Sequence, residues 1–333
     1  MLSRERMQQE FSQRGWFSDQ EVVAVQELSG GVSNIVLRVT LSRQAIVLKR
    51  PLAQLRVAEV WLADVNRAQN EAEGLRVAEV LLPSGASPHL WEFDQEQHLL
   101  AMEAAPVGVP TWKSELLQGK AEPQLAVAAG EMLGALHAGS WQDSVLARRF
   151  TEGFRYFRAL RLSPYFEFLL AVYPRYATMI KDIIADLSDE HDCLVHGDFS
   201  PKNLLVTAND RLMLIDWEVI HYGNPRFDVA FMVCHLTLKT LYAMARGLNP
   251  GPLAELITRF WQAYQSRLGS CCPPFDSVRP PLAGLLLARV GGKSPAEYLT
   301  NEDGFRVERW VDALLSERPD TVTDYYSMLK GWT

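Results

Sequence analysis

Only four cysteines occur in 333 residues, at positions 193, 234, 271 and 272, and no two of them form a C-x-x-C pair. The adjacent Cys271 and Cys272 suit neither a metal site nor a structural staple, which points to free thiols in a reducing compartment. The chain lacks any apolar run approaching the roughly 18 residues of a membrane span. Its first residues, MLSRERMQQEF, lack the apolar core of a signal peptide. A basic excess is missing too: the net charge is −7, so the electrostatic footprint of a nucleic-acid-binding protein is absent. There is no internal repeat and no low-complexity tract. These absences predict a cytoplasmic globular chain with no nucleic-acid or membrane partner, and they leave its oligomeric state open.

What is present is ordinary globular composition, 48% hydrophobic and 22% charged. At roughly 100–200 residues per domain, the length suits two domains or one bilobal unit. Residues 1–103 are strand-rich. VSNIVLRVT and QAIVLKR, separated by LSR, predict a β-hairpin, and a helix is expected over about Leu62 to Val80. LLAMEAAP (Leu99–Pro106) reads as a buried strand running into a connector over 104–110, where Pro106, Gly108 and Pro110 interrupt regular structure. From residue 111 to 333 the pattern is mainly helical. Leu125, Ala129, Met132 and Leu136 share one helix face, with Gly139 as a stop. Further helices are expected over 154–160, 166–184, 230–246 and 253–268, and PPLAGLLLARV begins another. The expected architecture is α+β: a small β-rich lobe, a connector and a larger, mainly helical lobe.

Against that background LVHGDFSPKNLLV (Leu194–Val206) stands out, a polar turn-forming core between apolar flanks, followed by LMLIDWEVI. TANDR between them is a turn composition, and the midpoint of Asn203 and Asp216 falls between Asn209 and Asp210, residues at ease in tight turns. A hairpin here returns Asp216 to Asn203, with Asp198 on the loop that feeds the first strand. Carboxylate and amide oxygens are hard ligands suited to Mg²⁺ beside substrate phosphates. Phosphoryl transfer also needs a carboxylate to orient and deprotonate the attacking hydroxyl. The spacing of His196, Asp198 and Asn203, H-x-D-x-x-x-x-N, is that of a kinase catalytic loop.

HGDFSPKN and LIDWE, with NPRFDVA after them, resemble the aminoglycoside phosphotransferase/choline-kinase-like family, small-molecule kinases with a protein-kinase-like bilobal fold. Weaker matches follow in order over most of the chain. The resemblance implies ATP and Mg²⁺ as cofactors and a small-molecule hydroxyl acceptor. It makes Asp198 the catalytic base and Asn203 and Asp216 the metal ligands, with Glu218 as a further metal candidate. His196 is then a loop organiser, and Asp228 braces the loop by hydrogen bonds. Lys202 is read as catalytic through charge neutralisation, with a solvated surface lysine as the alternative.

On the nucleotide side, Ser29, Gly30, Gly31, Ser33 and Asn34 precede a strand, and glycine lets backbone N–H groups approach phosphates closely. Centring the next turn on Ser42 and Arg43 puts Lys49 opposite about Val36, where a lysine can reach the α- and β-phosphates. Such a lysine pairs with a glutamate on the following helix. Glu71 is preferred to Glu73. Backbone groups of Glu103 and Ala105 are expected at the base edge, with Met102 beside the pocket. GGKS (291–294) is not a P-loop, because the upstream glycine is replaced by Leu287. Arg289 and Lys293 read as helix-capping cations in preference to an anion site, and Trp217, Tyr222 and Trp261 as core in preference to pocket lining.

Two alternatives to a small-molecule kinase stand beside it. A nucleotide-binding pseudokinase is disfavoured because Lys49, Asp198, Asn203 and Asp216 are all present. A protein kinase is disfavoured by H-G-D and D-W-E in place of H-R-D and D-F-G.

Overall fold

A computed structural model of the chain describes residues 3–28, 32–56, 61–207 and 211–332. Its first part contains α1 (Arg4–Arg14), β1 (Val22–Glu27), β2 (Asn34–Leu41), β3 (Ala45–Pro51), α2 (Arg67–Leu81), β4 (Leu90–Asp94) and β5 (Leu99–Glu103). The strands form one antiparallel sheet in the order β1-β2-β3-β5-β4. Side chains alternate between the two faces of a strand, and this alternation divides the lobe. Ile46, Leu48 and Ala101 pack with Met7, Phe11 and Trp16 from the α1 region in one cluster. Val47, Leu100 and Met102 join the larger core that includes α2. Lys49 lies two residues from Val47, so it shares that inner face.

The expected β2–β3 hairpin is present, and Lys49 pairs with Val36. The helix after it starts at Arg67 rather than near Leu62. Three elements have no counterpart in the sequence reading: α1, β1 and β4. The first is a polar helix with only Met7 and Phe11 buried, too few apolar positions to show a periodic stripe.

The second part runs α3 (Trp112–Leu117), α4 (Pro123–Gly139), α5 (Ser144–Arg149), α6 (Gly153–Phe157), a π-helix (Arg158–Glu167), α7 (Leu169–Val172) and α8 (Ala177–Asp189). Two small antiparallel ribbons follow, β6 (Cys193–Val195) with β9 (His221–Gly223), and β7 (Leu204–Thr207) with β8 (Arg211–Leu214). Helices α9 (Arg226–Ala245), α10 (Gly251–Leu268), α11 (Phe275–Gly291), α12 (Asn301–Glu317) and α13 (Val322–Lys330) complete it. The continuous helices expected over 154–160 and 166–184 are instead five shorter segments, with Pro164 inside the π-helix and Pro174 opening a 3₁₀ turn (Pro174–Tyr176) ahead of α8.

By length and composition α9 could cross a membrane, but 89% of its apolar window is buried inside the protein. It is apolar all round because it is the core helix of this lobe. Helices α4 and α10 approach so closely that a Cβ on Gly130 would lie 2.3 Å from the Phe260 carbonyl oxygen. Trp217, Tyr222 and Trp261 are 0%, 6% and 4% exposed and belong to the core.

Candidate active site

The β2–β3 register carries Lys49 to the inner face of the sheet. There its Nζ donates to Glu71 Oε1 at 2.7 Å and to Asp216 Oδ1 at 2.5 Å. Glu73, the alternative partner, lies on the outside of α2 and pairs with Arg76 and Arg149. Burial pulls the Asp216 carboxyl upward, and the Lys49 ammonium, helped by Lys202 and Arg161, more than reverses this and holds it well below the ordinary carboxylate range. Glu71 is pushed above that range, by burial first and by its neighbours Asp216 and Glu218, against the pull of Lys49.

Asp216 has φ +72°, a left-handed conformation rare for a non-glycine residue. Strain of this kind persists only where the surroundings over-determine it, and here the Lys49 bond and the preceding ribbon do so. Strands β7 and β8 pair symmetrically about residue 209, so Asn203 faces Ile215, whose N–H donates to the Asn203 carbonyl at 3.0 Å. The turn residues 208–210 lie outside the described residues.

The catalytic-type loop is fixed from beneath. Asp228, fully buried on α9, accepts the His196 N–H (2.6 Å) and the Gly197 N–H (2.9 Å), and His137 Nε2 lies 3.5 Å from its Oδ2. His196 Nδ1 in turn accepts the Asp198 N–H at 3.2 Å. Gly197 has φ +77°, and a Cβ there would lie 2.9 Å from the Val219 carbonyl oxygen. Only glycine fits both constraints, which accounts for H-G-D in this chain. Asp198 Oδ2 accepts from Asn203 Nδ2 at 2.6 Å and from Arg161 Nη2 at 2.9 Å.

Three carboxylates, Glu71, Asp216 and Glu218, place ligand oxygens within 4.8 Å of one another. Asp216, ionised and paired with the single cation Lys49, and the oxygen-bearing Asn203 suit a hard divalent cation. Glu218 is present in the cluster, but its Oε2 is engaged by Arg67 Nε (3.0 Å) and Asn34 Nδ2 (3.0 Å). Lys202 is exposed; it makes none of the described hydrogen bonds and acts on Asp216 through its charge.

Ser29, Gly30 and Gly31 lie outside the described residues. The Asn34 amide is committed to Ser33 Oγ (2.8 Å) and Glu218, so it anchors the base of the loop. At the connector, Met102 is 6% exposed and the Glu103 N–H donates to the His89 carbonyl. The Ala105 carbonyl accepts from Arg38 Nη1 at 2.6 Å. The Ala105 N–H makes no hydrogen bond among the described residues.

The model of the phosphotransferase enzyme family (APH) matches residues 24–275, spanning both lobes and every loop described above. The chain belongs to this family. It is similar to methylthioribose kinases of Yersinia pseudotuberculosis (26% identical over 247 residues, 66% of this chain and 60% of that protein) and of Pectobacterium carotovorum (28% over 285 residues, 74% and 70%). The match thus spans less than two thirds of the Yersinia protein. A choline/ethanolamine kinase family protein from Mesorhizobium loti has the same fold, with a TM-score of 0.51, 17% identity and 92% of each chain covered.

Two arginines of this family member escaped the sequence reading. Arg67, fully buried at the start of α2, ties Glu218 to the carbonyls of Ser33 (2.7 Å), Leu52 (2.9 Å) and Asp64 (2.9 Å). Arg161 sits on the π-helix, a geometry frequent at functional sites. Pro164 has no N–H for the Ala159 carbonyl, its π-helical partner five residues back, and that carbonyl accepts from Trp61 Nε1 at 3.3 Å. Arg161 Nη1 donates to the Leu160 carbonyl at 2.8 Å. Its Nε holds the Gly197 carbonyl at 3.0 Å and its Nη2 reaches Asp198. The only hint in the sequence is a proline inside a helical segment.

Proposed function

We propose that the protein is an ATP- and Mg²⁺-dependent small-molecule kinase that moves the γ-phosphoryl group to an acceptor hydroxyl, with Asp198 as the catalytic base. The observation that carries this reading is the Glu71–Lys49–Asp216 ion-pair chain beside the Asp198–Asn203 loop, two halves built from opposite lobes. Lys49 is placed to hold the α- and β-phosphates, and Glu71 keeps its ammonium from swinging away. Asp216 and Asn203 would hold Mg²⁺, whose charge would offset the charge that builds up during transfer. Asp198 orients the hydroxyl and takes its proton as the new O–P bond forms. Arg161 and Asn203 fix the carboxylate's angle, so the reacting atoms meet in line. No specific observation favours the non-catalytic reading.

The test is incubation of the full chain with γ-labelled ATP and a panel of hydroxyl compounds: amino alcohols, sugars including methylthioribose, hydroxy acids and aminoglycosides. Label transfer to at least one compound, lost on chelation of Mg²⁺, is expected. Tight ATP binding with no transfer across the panel would overturn the reading in favour of a nucleotide-binding regulator.

Arg161→Met should lower kcat about 10- to 100-fold, because a misoriented carboxylate costs about that much in related geometries. The KM for ATP should stay within about threefold, since Arg161 touches no proposed nucleotide group. Arg161→Lys recovers little, because an ammonium cannot reproduce three bonds made by a planar fork. Steady-state kinetics on the best acceptor of the panel decide it; a change confined to the ATP KM would contradict the assignment.

A further inference from the structure

The segment before α3 runs beside the catalytic loop. The Lys113 N–H donates to the Pro201 carbonyl (2.8 Å), and the Val206 N–H donates to the Pro110 carbonyl (2.9 Å). Beside the loop, cations from three helices come together. Lys113 Nζ lies 5.7 Å and Lys239 Nζ 5.3 Å from the centroid of the same ring, Tyr298. Lys239, on α9, is 1% exposed, and its described hydrogen bond goes to the His235 carbonyl at 3.2 Å. Arg289, on α11, donates through Nη1 to the Ser294 carbonyl and Oγ, beyond the end of its helix.

Among the described residues the carboxylate in this group is Glu297, which is mostly exposed and pairs with Lys113. Three cations thus face one carboxylate. Two buried donors, Arg289 Nε and the Tyr298 hydroxyl, have no hydrogen-bond partner among the described residues. An unmade buried hydrogen bond is costly, so these two donors leave the arrangement incomplete as a purely structural one. Burial first, then the fields of Lys113 and Arg289, bring Lys239 down to about 7. Burial together with Lys239, Arg289, Lys113 and Lys202 holds His235 far below its ordinary value.

We propose that this cluster binds an anionic group, a carboxylate or a phosphate, on the molecule whose hydroxyl faces Asp198. The inference rests on the kinase reading for the hydroxyl and on the cluster alone for the anion. Lys113 and Arg289 supply donors, and Lys239 supplies charge from behind Tyr298. The substrate class is therefore an acidic hydroxyl compound, a hydroxy acid or a phosphorylated alcohol, rather than an amine or a neutral sugar.

The test uses inorganic phosphate and acetate as probes, titrated calorimetrically into the full chain saturated with Mg²⁺ and a non-hydrolysable ATP analogue, which fills the γ-phosphate position. Saturable binding of at least one probe is expected, weakened at least fivefold in both Lys239→Met and Arg289→Met. The probe that binds better distinguishes carboxylate from phosphate. Unchanged melting temperature and analogue affinity verify that the variants are folded. Absence of saturable binding, or a smaller loss in either variant, overturns the proposal. Anion binding without label transfer to any compound of the panel, extended by phosphorylated alcohols, would refute the kinase reading alone. Efficient transfer to neutral acceptors without anion binding would refute the anion site alone.

Discussion

Asp198→Asn lowers kcat by roughly 10²–10⁴-fold, the range for loss of a positioned general base, while the affinity for ATP changes little. The geometry makes the substitution clean. Asp198 bonds Asn203 and Arg161 through one oxygen, and neither Lys49 nor Glu71 touches it. An amide keeps the size of the side chain and one acceptor for these two donors, but it cannot take a proton. The check is steady-state kinetics with the best acceptor, alongside direct measurement of ATP-analogue binding. Turnover within about threefold of the parent would remove Asp198 from the base role and point to a dissociative transfer in which no base is needed.

The second large effect falls on stability. Asp228→Ala leaves the N–H groups of His196 and Gly197 buried without an acceptor, and each unmet buried donor costs about 1–3 kcal/mol. A total near 2–5 kcal/mol is expected, a large share of the stability of a typical domain. Denaturant unfolding measures it. Asp228→Asn, which retains one acceptor oxygen, should cost less.

The pH dependence separates charge from shape. Burial alone would raise the Asp228 carboxyl, but hydrogen bonding to His137, the charges of His137 and His196, and the Gly197 N–H hold it below its ordinary value. A carboxylate with a depressed folded-state pKa contributes stability that is complete above its unfolded value of about 3.9 and is lost as pH falls through the folded value. The gap between parent and Asp228→Asn should therefore be constant from neutral pH to about pH 5 and narrow below about pH 4. A gap that widens on acidification would mean that the carboxylate is not the stabilising species.

The parts of this site that were legible in the sequence are those set by local geometry. A hairpin's register follows from its turn, so the position of Lys49 opposite Val36 could be counted from Ser42 and Arg43. The same counting brought Asp216 back to Asn203, with an offset of half a residue because the ribbon is centred on residue 209. The choice of Glu71 over Glu73 rested on the register of the family it resembles, in which Glu71 precedes Leu75 by one helical turn, and Glu71 is the residue that meets Lys49. Glycine at 197 was visible, but its reason was not: the Val219 carbonyl that excludes a Cβ arrives from 22 residues away.

Tertiary structure alone decided the rest. Arg67 meets Glu218 across 151 residues, and Arg161 meets Asp198 from a π-helix whose register no 3.6-residue pattern encodes. The gathering of Lys113, Lys239 and Arg289 around Tyr298 joins α3, α9, α11 and the chain before α12, four segments with no shared periodicity. Side-chain periodicity reports which face of an element is buried. It cannot report which distant element the face meets, and in this chain the charges around the acceptor are set by that meeting.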